Sequence, residues 1–315
     1  MKKILVTGAV GQIGSELTAS LREKYGHDNV IASDVREPIG LDNFKPFEKL
    51  DVLSEDEVMR IAKKHEVNTI FHLAAILSAN GEKNPHLCWD VNMNGLINIL
   101  ETARKLELKR VICVSSIAVF GPGTPRDMTP QKTVMLPTTM YGVTKVAGEL
   151  LCEYYVNKYG LDIRGLRYPG LISYKTLPGG GTTDYAVEIY YEAIKNKRYT
   201  CFLKEDTMLP MMYMPDAIRG TIELAETDFH NLTHRTNFNF SSMSVTCGDI
   251  AAEIKKHIPE FTIEYKPDFR QEIADTWPAS IDDSTARQEW DWKPEYGVSE
   301  MTEDMLSKLR EKLEA

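Results

Sequence analysis

Short apolar runs alternate with amphipathic stretches through the first half of the chain. The apolar runs lie at residues 4–6, 30–32, 69–73 and 111–114. Helical periodicity covers residues 12–25 and 55–65 and, as one continuous helix, residues 85–107, and a further helix is expected near Tyr141. Apolar strands separated by helices are typical of a parallel sheet covered on both faces. The pattern predicts an α/β fold with a doubly wound parallel sheet.

The second half of the chain has a different rhythm. Three consecutive glycines at 179–181, followed by proline-bearing segments, indicate loops and short elements rather than another regular βα series. A charged amphipathic helix is predicted over residues 299–315. We therefore expect a first domain over residues 1–170, to which some later strands return. Residues 171–315 should form mainly a smaller substrate-binding or lid region.

Composition narrows the classes of partner. The chain has 315 residues, of which 43% are hydrophobic, and its net charge is −9, from 37 Lys and Arg against 46 Asp and Glu. An acidic chain disfavours nucleic acid as a partner, and no apolar stretch approaches the ~20 residues of a membrane helix. The five cysteines show no Cys-x-x-Cys spacing, so we expect no metal site and a cytoplasmic location.

Glycines follow the first predicted strand at a spacing suited to a dinucleotide. Gly8, Gly11 and Gly14 allow a tight turn whose amides approach a pyrophosphate, and Gln12 and Ile13 open the next helix. Asp34 ends the second strand, 20 residues after the last glycine, where a carboxylate accepts bonds from a ribose diol and repels a 2′-phosphate. This favours NAD over NADP. Nearby Arg36 leaves the other cofactor open, and Asp34 could also be an ordinary turn residue.

A tyrosine and a lysine lie one helical turn apart. Tyr141 and Lys145 project from the same face of their predicted helix, where the ammonium would favour the phenolate. The phenolate could then accept a hydroxyl proton. Ser115 and Ser116 end the strand about 25 residues earlier, and one hydroxyl could hold the reacting oxygen in line. A surface coincidence is the alternative for the pair, and strand-end hydrogen bonding is the alternative for the serines.

Several segments together resemble the extended short-chain dehydrogenase/reductase family, which has a Rossmann fold. The segments are the Gly-x-x-Gly-x-x-Gly turn, Leu50-Asp51-Val52, His72-Leu73-Ala74-Ala75, Asp90-Val91-Asn92, the Ser115-Ser116 strand end and Tyr141-x-x-x-Lys145. The resemblance implies that Ser116 rather than Ser115 is catalytic, with Tyr141 and Lys145. It also implies further NAD contacts from Asp51, Val52, Leu73, Ala74, Ala75, Asn92, Tyr141, Lys145, Tyr168 and Pro169. His72 is expected to be a packed histidine.

Within that family the second half resembles the short-chain L-threonine 3-dehydrogenases. The similar segments are residues 168–176, 178–186, 211–217 and 277–284. The resemblance implies NAD-dependent oxidation of the L-threonine side-chain hydroxyl to 2-amino-3-oxobutanoate without a metal, in a homodimer whose contact helices lie at 85–107 and 141–159. Backbone amides and hydroxyls could hold the substrate carboxylate, which makes Gly180, Thr182, Thr183 and Ser78 candidate substrate contacts beside Ser116 and Tyr141. Trp277 could cover the methyl end of the substrate. Thr182 and Thr183 could instead cap the following helix.

Two other functions stay open at this stage. The first is a nucleotide-sugar epimerase or dehydratase that uses the same Tyr141 and Lys145. Such members usually carry an arginine ahead of the segment that corresponds to residues 213–216, whereas this chain has Leu209-Pro210-Met211-Met212 there. The second is a non-catalytic NAD-sensing regulator, whose usual mark would be loss of Tyr141 or Lys145. A tetramer also stays open beside the dimer.

Overall fold

A seven-stranded parallel sheet organises the chain in the computed structural model, which describes residues 1–40, 44–176, 179 and 181–314. The strands of the described chain are β1 (Ile4–Thr7), β2 (Val30–Asp34), β3 (Phe47–Lys49), β4 (Thr69–His72), β5 (Arg110–Ser116), β6 (Ile163–Tyr168), β7 (Gly170–Ile172), β8 (Arg198–Cys201), β9 (Met208–Tyr213), β10 (Phe238–Asn239), β11 (Met243–Thr246) and β12 (Thr262–Tyr265). The main sheet has the order β10-β6-β5-β4-β1-β2-β3. The direction of winding reverses between β1 and β4, as in dinucleotide-binding sheets. The predicted α/β doubly wound sheet is confirmed.

Helices cover both faces of this sheet. The described helices are α1 (Gln12–Tyr25), α2 (Glu55–Lys64), α3 (Ser78–Lys83), α4 (Pro85–Trp89), α5 (Gly95–Lys105), α6 (Met140–Tyr159), α7 (Tyr185–Lys195), α8 (Met214–Glu226), α9 (Cys247–His257), α10 (Phe269–Ala274), α11 (Ser284–Trp290) and α12 (Val298–Glu314). Apolar residues of α1 and α8 pack in one core cluster, and those of α2, α5 and α6 pack in another. Burial on both faces explains why most positions in these strands are apolar.

The predicted continuous helix over residues 85–107 is wrong in its middle. A π-helical turn at Asp90–Asn94 separates α4 from α5. The wider turn brings Asn92 inward to 7% exposure, where its side chain bonds the backbone of Ile76. These bonds explain the irregular turn, since π turns are tolerated where a side chain gains a specific partner.

Much of the C-terminal region packs in a third core cluster, which residues 117–120 also join, and it forms small sheets. Strands β7, β9 and β11 form one sheet, and β8 pairs with β12 in another. Helices α7, α9 and α12 pack around them, and α12 begins one residue before the predicted helix, while Ala315 lies outside the described residues. Strand β10 joins the main sheet beside β6. Among the described helices, none has the length and apolar character needed to cross a membrane.

Candidate active site

The loop between β1 and α1 is shaped by glycines. Gly8 has a φ of +70°, and a Cβ there would lie 2.7 Å from the amide nitrogen of Ala74. A Cβ on Gly14 would overlap the carbonyl oxygen of Gly8, while the Gly11 amide donates to that same oxygen at 3.0 Å. No side chain caps the start of α1 at Gly11. The turn therefore leaves the amides of the first helical residues, including Gln12 and Ile13, available to an anion.

Asp34 is fixed at the end of β2 beside this turn. It is only 6% exposed, and its carboxylate accepts hydrogen bonds from the amides of Val10 at 3.1 Å and Arg36 at 3.0 Å. The Arg36 side chain lies 3.4 Å from the same carboxylate and is largely exposed. Hydrogen bonds from these two backbone amides orient the carboxylate and leave further lone pairs for a ribose diol.

The other predicted cofactor segments line the same edge of the sheet. The amides of Leu73 and Ala74 donate to the hydroxyl of Thr7, at 3.3 and 3.4 Å, and Ala75 follows them half-buried. Val52 is buried and receives a bond from Asn98 on its carbonyl oxygen. Asp51 is exposed, with its carboxylate on the amide of Leu53. These contacts fix the backbone after β3 and β4.

Tyr168 and Pro169 link β6 to β7. The Tyr168 phenol is 4% exposed and bonds the hydroxyl of Thr221 in the core beneath α8. Its side chain is therefore directed into the protein, and contact with a cofactor would use its backbone. Pro169 is buried beside it.

Asn92 braces the helix that carries the tyrosine and the lysine. Its amide group donates to the carbonyl of Ile76 at 3.1 Å and to the hydroxyl of Thr144 at 3.0 Å, and it accepts from the Ile76 amide at 2.8 Å. Thr144 in turn donates to the Tyr141 carbonyl at 2.7 Å. The π turn, the loop before Ser78 and the first turn of α6 are thus held as one unit.

Tyr141 and Lys145 lie together in the first turns of α6. The ammonium is 5.4 Å from the centre of the Tyr141 ring and donates to the carbonyl of Val114 at 2.8 Å. Thr139 caps the helix through the Gly142 amide, which sets where α6 begins. The bond to Val114 ties the lysine to the end of β5, the strand that carries the two serines. The pair is held in place by backbone and helix geometry.

The two serines at the end of β5 face different surroundings. Ser115 is 6% exposed and donates to Glu149 at 2.6 Å in the interior. Ser116 is half-buried, and its hydroxyl accepts from the amide of Ala118 at 3.2 Å, which leaves its proton free to donate. This geometry favours Ser116 as the hydroxyl that serves a reacting oxygen.

Glu149 belongs to a buried ionic network that the sequence analysis missed. Arg167 donates to Glu149 twice, at 2.9 and 2.8 Å, and also to Asn239 at 3.0 Å. Glu149 and Arg167 are both 5% exposed. The signal available in the sequence was an arginine inside an otherwise buried strand, β6, since such a residue needs a buried partner.

His72 is a buried neutral histidine. Its Nδ1 lies 2.9 Å from the hydroxyl of Thr7. Burial, and to a lesser degree the charge of Lys145, lowers its pKa to about 3. His72 therefore acts as a structural residue beside Lys145, and the expectation of a packed histidine agrees with its surroundings.

The other predicted substrate residues lie on separate elements of the chain. Ser78 is buried at the start of α3, and Thr182 is buried just before α7. Thr183 lies against Gly170, since a Cβ on that glycine would come within 2.8 Å of the threonine methyl group. Trp277 is 6% exposed within the C-terminal core cluster. Gly180 lies outside the described residues.

The capping alternative for the two threonines is not what the structure shows. The residue at the start of α7 is Asp184, and no side chain caps the helix. Asp184 instead accepts a bond from the Gly181 amide at 2.6 Å. The hydroxyls of Thr182 and Thr183 are therefore not used as helix caps. Within the described chain, no three His, Cys, Asp or Glu side chains form a group that could hold a metal.

Comparison with known proteins settles the family. Residues 4–237 match the model of the NAD-dependent epimerase/dehydratase family. The chain belongs to this family. An uncharacterized epimerase/dehydratase from Staphylococcus haemolyticus is 52% identical over 99% of both chains. The L-threonine dehydrogenase of Clostridium difficile is 56% identical, with a TM-score of 0.97 over 99% of this chain and 98% of that one.

A further relative bears on assembly. A monomeric L-threonine 3-dehydrogenase from a metagenome is 52% identical, with a TM-score of 0.94 over 98% of this chain and 99% of that one.

The predicted membership of the extended short-chain dehydrogenase/reductases is confirmed. The residues present fit NAD, the cofactor of the epimerase/dehydratase family. The turn has room for a pyrophosphate because Gly8 and Gly14 lack the Cβ that would fill it, and the Asp34 carboxylate can accept hydrogen bonds from a ribose.

Replacing Asp34 by Asn should weaken NAD binding. The amide cannot offer two ionised acceptors to the ribose diol, so we expect the Kd for NAD to rise about 10- to 100-fold and the preference over NADP to shrink. Titration of both cofactors by intrinsic fluorescence measures this. Glu37→Gln, at an exposed acid three residues away, is the matched control. Unchanged affinity in Asp34→Asn would show that the carboxylate does not contact the cofactor.

Replacing His72 by Gln should flatten the loss of stability in acid. The pKa of His72 is about 3 in the folded chain and about 6.5, the ordinary value, in the unfolded chain. The unfolded chain therefore binds the proton first as the pH falls. Stability from this group is nearly full at pH 7 and declines below pH 6.5, by about 1.4 kcal/mol per pH unit. Urea unfolding from pH 7 to 4 measures the slope. His86→Gln, at an exposed histidine, should leave it unchanged.

Proposed function

We propose that the protein oxidises the side-chain hydroxyl of L-threonine with NAD and yields 2-amino-3-oxobutanoate. The observation that carries the proposal is the Tyr141–Lys145 pair held beside the half-buried Ser116. It is supported by the 56% identity to the Clostridium difficile L-threonine dehydrogenase over 99% of this chain. Activation of a hydroxyl for oxidation needs a base and an aligned donor, and these side chains supply both.

The site also suits a small zwitterion better than a nucleotide sugar. Met211 and Met212, which precede Tyr213 where a diphosphate would need a cation, are both fully buried. Thr182 and Thr183 follow a run of glycines, and their hydroxyls can donate hydrogen bonds to a carboxylate. The threonine hydroxyls and the missing cation favour an amino acid over the nucleotide-sugar alternative.

The reaction follows from the positions of the side chains. Ser116 donates a hydrogen bond to the substrate hydroxyl oxygen and holds it against Tyr141. The phenolate of Tyr141 accepts the hydroxyl proton, and the ammonium of Lys145 stabilises that phenolate through its positive charge. NAD would supply the acceptor for the hydride of Cβ, so that the carbon could become a ketone as its O–H bond breaks. Tyr141 holds the hydroxyl proton and passes it finally to solvent.

Replacing Tyr141 by Phe should abolish the reaction while leaving the cofactor site intact. Removal of the base should reduce kcat about 10²- to 10⁴-fold, because proton transfer from the hydroxyl loses its acceptor. NADH absorbance with L-threonine measures turnover, and fluorescence titration measures the Kd for NAD. Tyr159→Phe at the end of the same helix is the matched control. Substantial turnover by Tyr141→Phe would exclude Tyr141 as the base.

We also propose that the protein is a homodimer. Several apolar side chains of α4, α5 and α6 are exposed: Leu87, Trp89, Ile97, Val143, Leu150 and Tyr154. Exposed apolar patches on adjacent helices are typical of subunit interfaces. Helix α6 carries Tyr141 and Lys145, and the π turn between α4 and α5 carries Asn92, so an interface there would stiffen the catalytic helix. The related L-threonine 3-dehydrogenase from a metagenome is monomeric.

Replacing Leu150 by Glu should separate the subunits. Leu150 is 63% exposed, and a carboxylate there would have to be desolvated in a dimer. Sedimentation at micromolar concentration should show about half the mass of the parent protein. Leu313→Glu, which introduces the same charge on α12, should leave the mass unchanged. A parent protein that sediments as a monomer contradicts the dimer.

The cytoplasm is the proposed location. All five cysteines are free and buried, and such thiols persist in a reducing compartment.

A further inference from the structure

Residues 173–175 connect β7 to the segment that carries Thr182 and Thr183, and α1 holds them through a buried acid. Glu16 is 6% exposed and accepts a hydrogen bond from the hydroxyl of Ser173 at 2.5 Å. Ser173 is fully buried. The ammonium of Lys175 lies 3.5 Å from the other carboxylate oxygen of Glu16. A buried carboxylate needs such partners to offset its desolvation, so the contact is specific.

The C-terminal helix holds the same residues from the opposite end of the chain. The ammonium of Lys312 donates to the carbonyl oxygens of Tyr174 at 3.0 Å and Lys175 at 2.8 Å. It also donates to the hydroxyl of Tyr191 at 3.1 Å, and that hydroxyl donates to the Tyr174 carbonyl at 3.0 Å. The Lys312 side chain therefore joins α12 to the backbone of Tyr174 and Lys175 and to Tyr191 of α7.

These hydrogen bonds hold the chain on both sides of Thr182 and Thr183. Tyr191 lies on α7, which begins directly after Thr182, Thr183 and Asp184, whereas Tyr174 and Lys175 lie just before that segment. Lys312 thus bridges the chain on either side of it. Glu16 adds the connection to α1, whose first turn is the predicted pyrophosphate site.

We propose that Glu16 and Lys312 are positioning residues for the amino-acid substrate. They set Thr182 and Thr183 at a fixed distance from the cofactor helix, although neither residue touches the reacting atoms. The inference rests on the proposed oxidation of L-threonine. Loss of either anchor lowers the fraction of molecules in which Thr182 and Thr183 are positioned to bind substrate. The apparent affinity for L-threonine falls in proportion to that fraction. The affinity for NAD, which depends on the glycine turn and Asp34, is unaffected.

The test compares substrate binding with turnover. Glu16→Leu removes the carboxylate that Ser173 and Lys175 share, Glu16→Gln keeps an acceptor for Ser173, and Lys312→Met keeps the apolar stem. We expect the KM for L-threonine to rise roughly 10-fold in Glu16→Leu and Lys312→Met and less in Glu16→Gln, with kcat and the Kd for NAD within about twofold. Lys312→Arg should restore KM. A role in stability alone would lower the melting temperature and the active fraction without moving KM.

Matched controls lie on the same two helices. Glu23→Gln changes an exposed acid of α1, and Lys308→Met changes a lysine of α12 whose partner is Glu311 at 3.5 Å. Both should keep the parent KM. An unchanged KM in Glu16→Leu and Lys312→Met, with a parent protein that oxidises L-threonine, overturns the positioning role alone.

A parent protein that forms no NADH from L-threonine overturns the proposed function instead. The anchoring is then decided by deuterium exchange with NAD bound and no amino acid added. Amides of residues 181–191 should exchange at least threefold faster in Glu16→Leu and Lys312→Met than in the parent and in the two controls. Equal exchange in all proteins contradicts the anchoring.

Discussion

The buried ion pair between Glu149 and Arg167 is the contact on which the geometry of the site depends. It joins α6, which carries Tyr141 and Lys145, to the end of β6, and it receives the hydroxyl of Ser115 from the end of β5. Removal of one partner would leave a buried charge unpaired, at a cost of about 3–5 kcal/mol. The pair is therefore a constraint as much as a source of stability. It makes the relative position of helix and strand, and with it the distance from Ser116 to Tyr141, hard to change.

The sequence predicted the parts of the site that depend on local chemistry. A glycine with a φ of +70° at Gly8 and a buried acid at Asp34 follow from short motifs, because backbone approach and ribose binding leave few choices of residue. The helical spacing of Tyr141 and Lys145 is equally local. Contacts between residues far apart in the chain were not predicted. The partners Glu149–Arg167 and Glu16–Ser173 are 18 and 157 residues apart, and no periodicity indicates them.

The π turn at Asp90–Asn94 shows why a correct periodicity can still give a wrong helix. The apolar spacing of the 85–107 stretch fits one continuous helical stripe. The bonds of Asn92 to Ile76 and Thr144 outweigh that preference, since an amide buried without partners would cost more than a distorted turn. Tertiary hydrogen bonding decides the backbone there. The distortion lies where the helix meets the loop before Ser78, so irregular geometry and the candidate substrate site coincide.

Charge is distributed so that the acidic chain still accommodates two anionic groups. The cofactor turn offers backbone amides at the start of α1, where no side-chain acid lies in the first turn. The amino-acid carboxylate would meet the hydroxyls of Thr182 and Thr183, which are neutral donors. Under the proposed function, Lys145 places its charge beside the reacting phenol of Tyr141, whereas Lys175 and Lys312 place theirs at the proposed anchors. A cation placed on the substrate carboxylate would bind it more tightly, but it would also attract phosphates. Under the proposed function, neutral donors would favour a small zwitterion, while Lys175 and Lys312 are engaged with Glu16 and with backbone carbonyls.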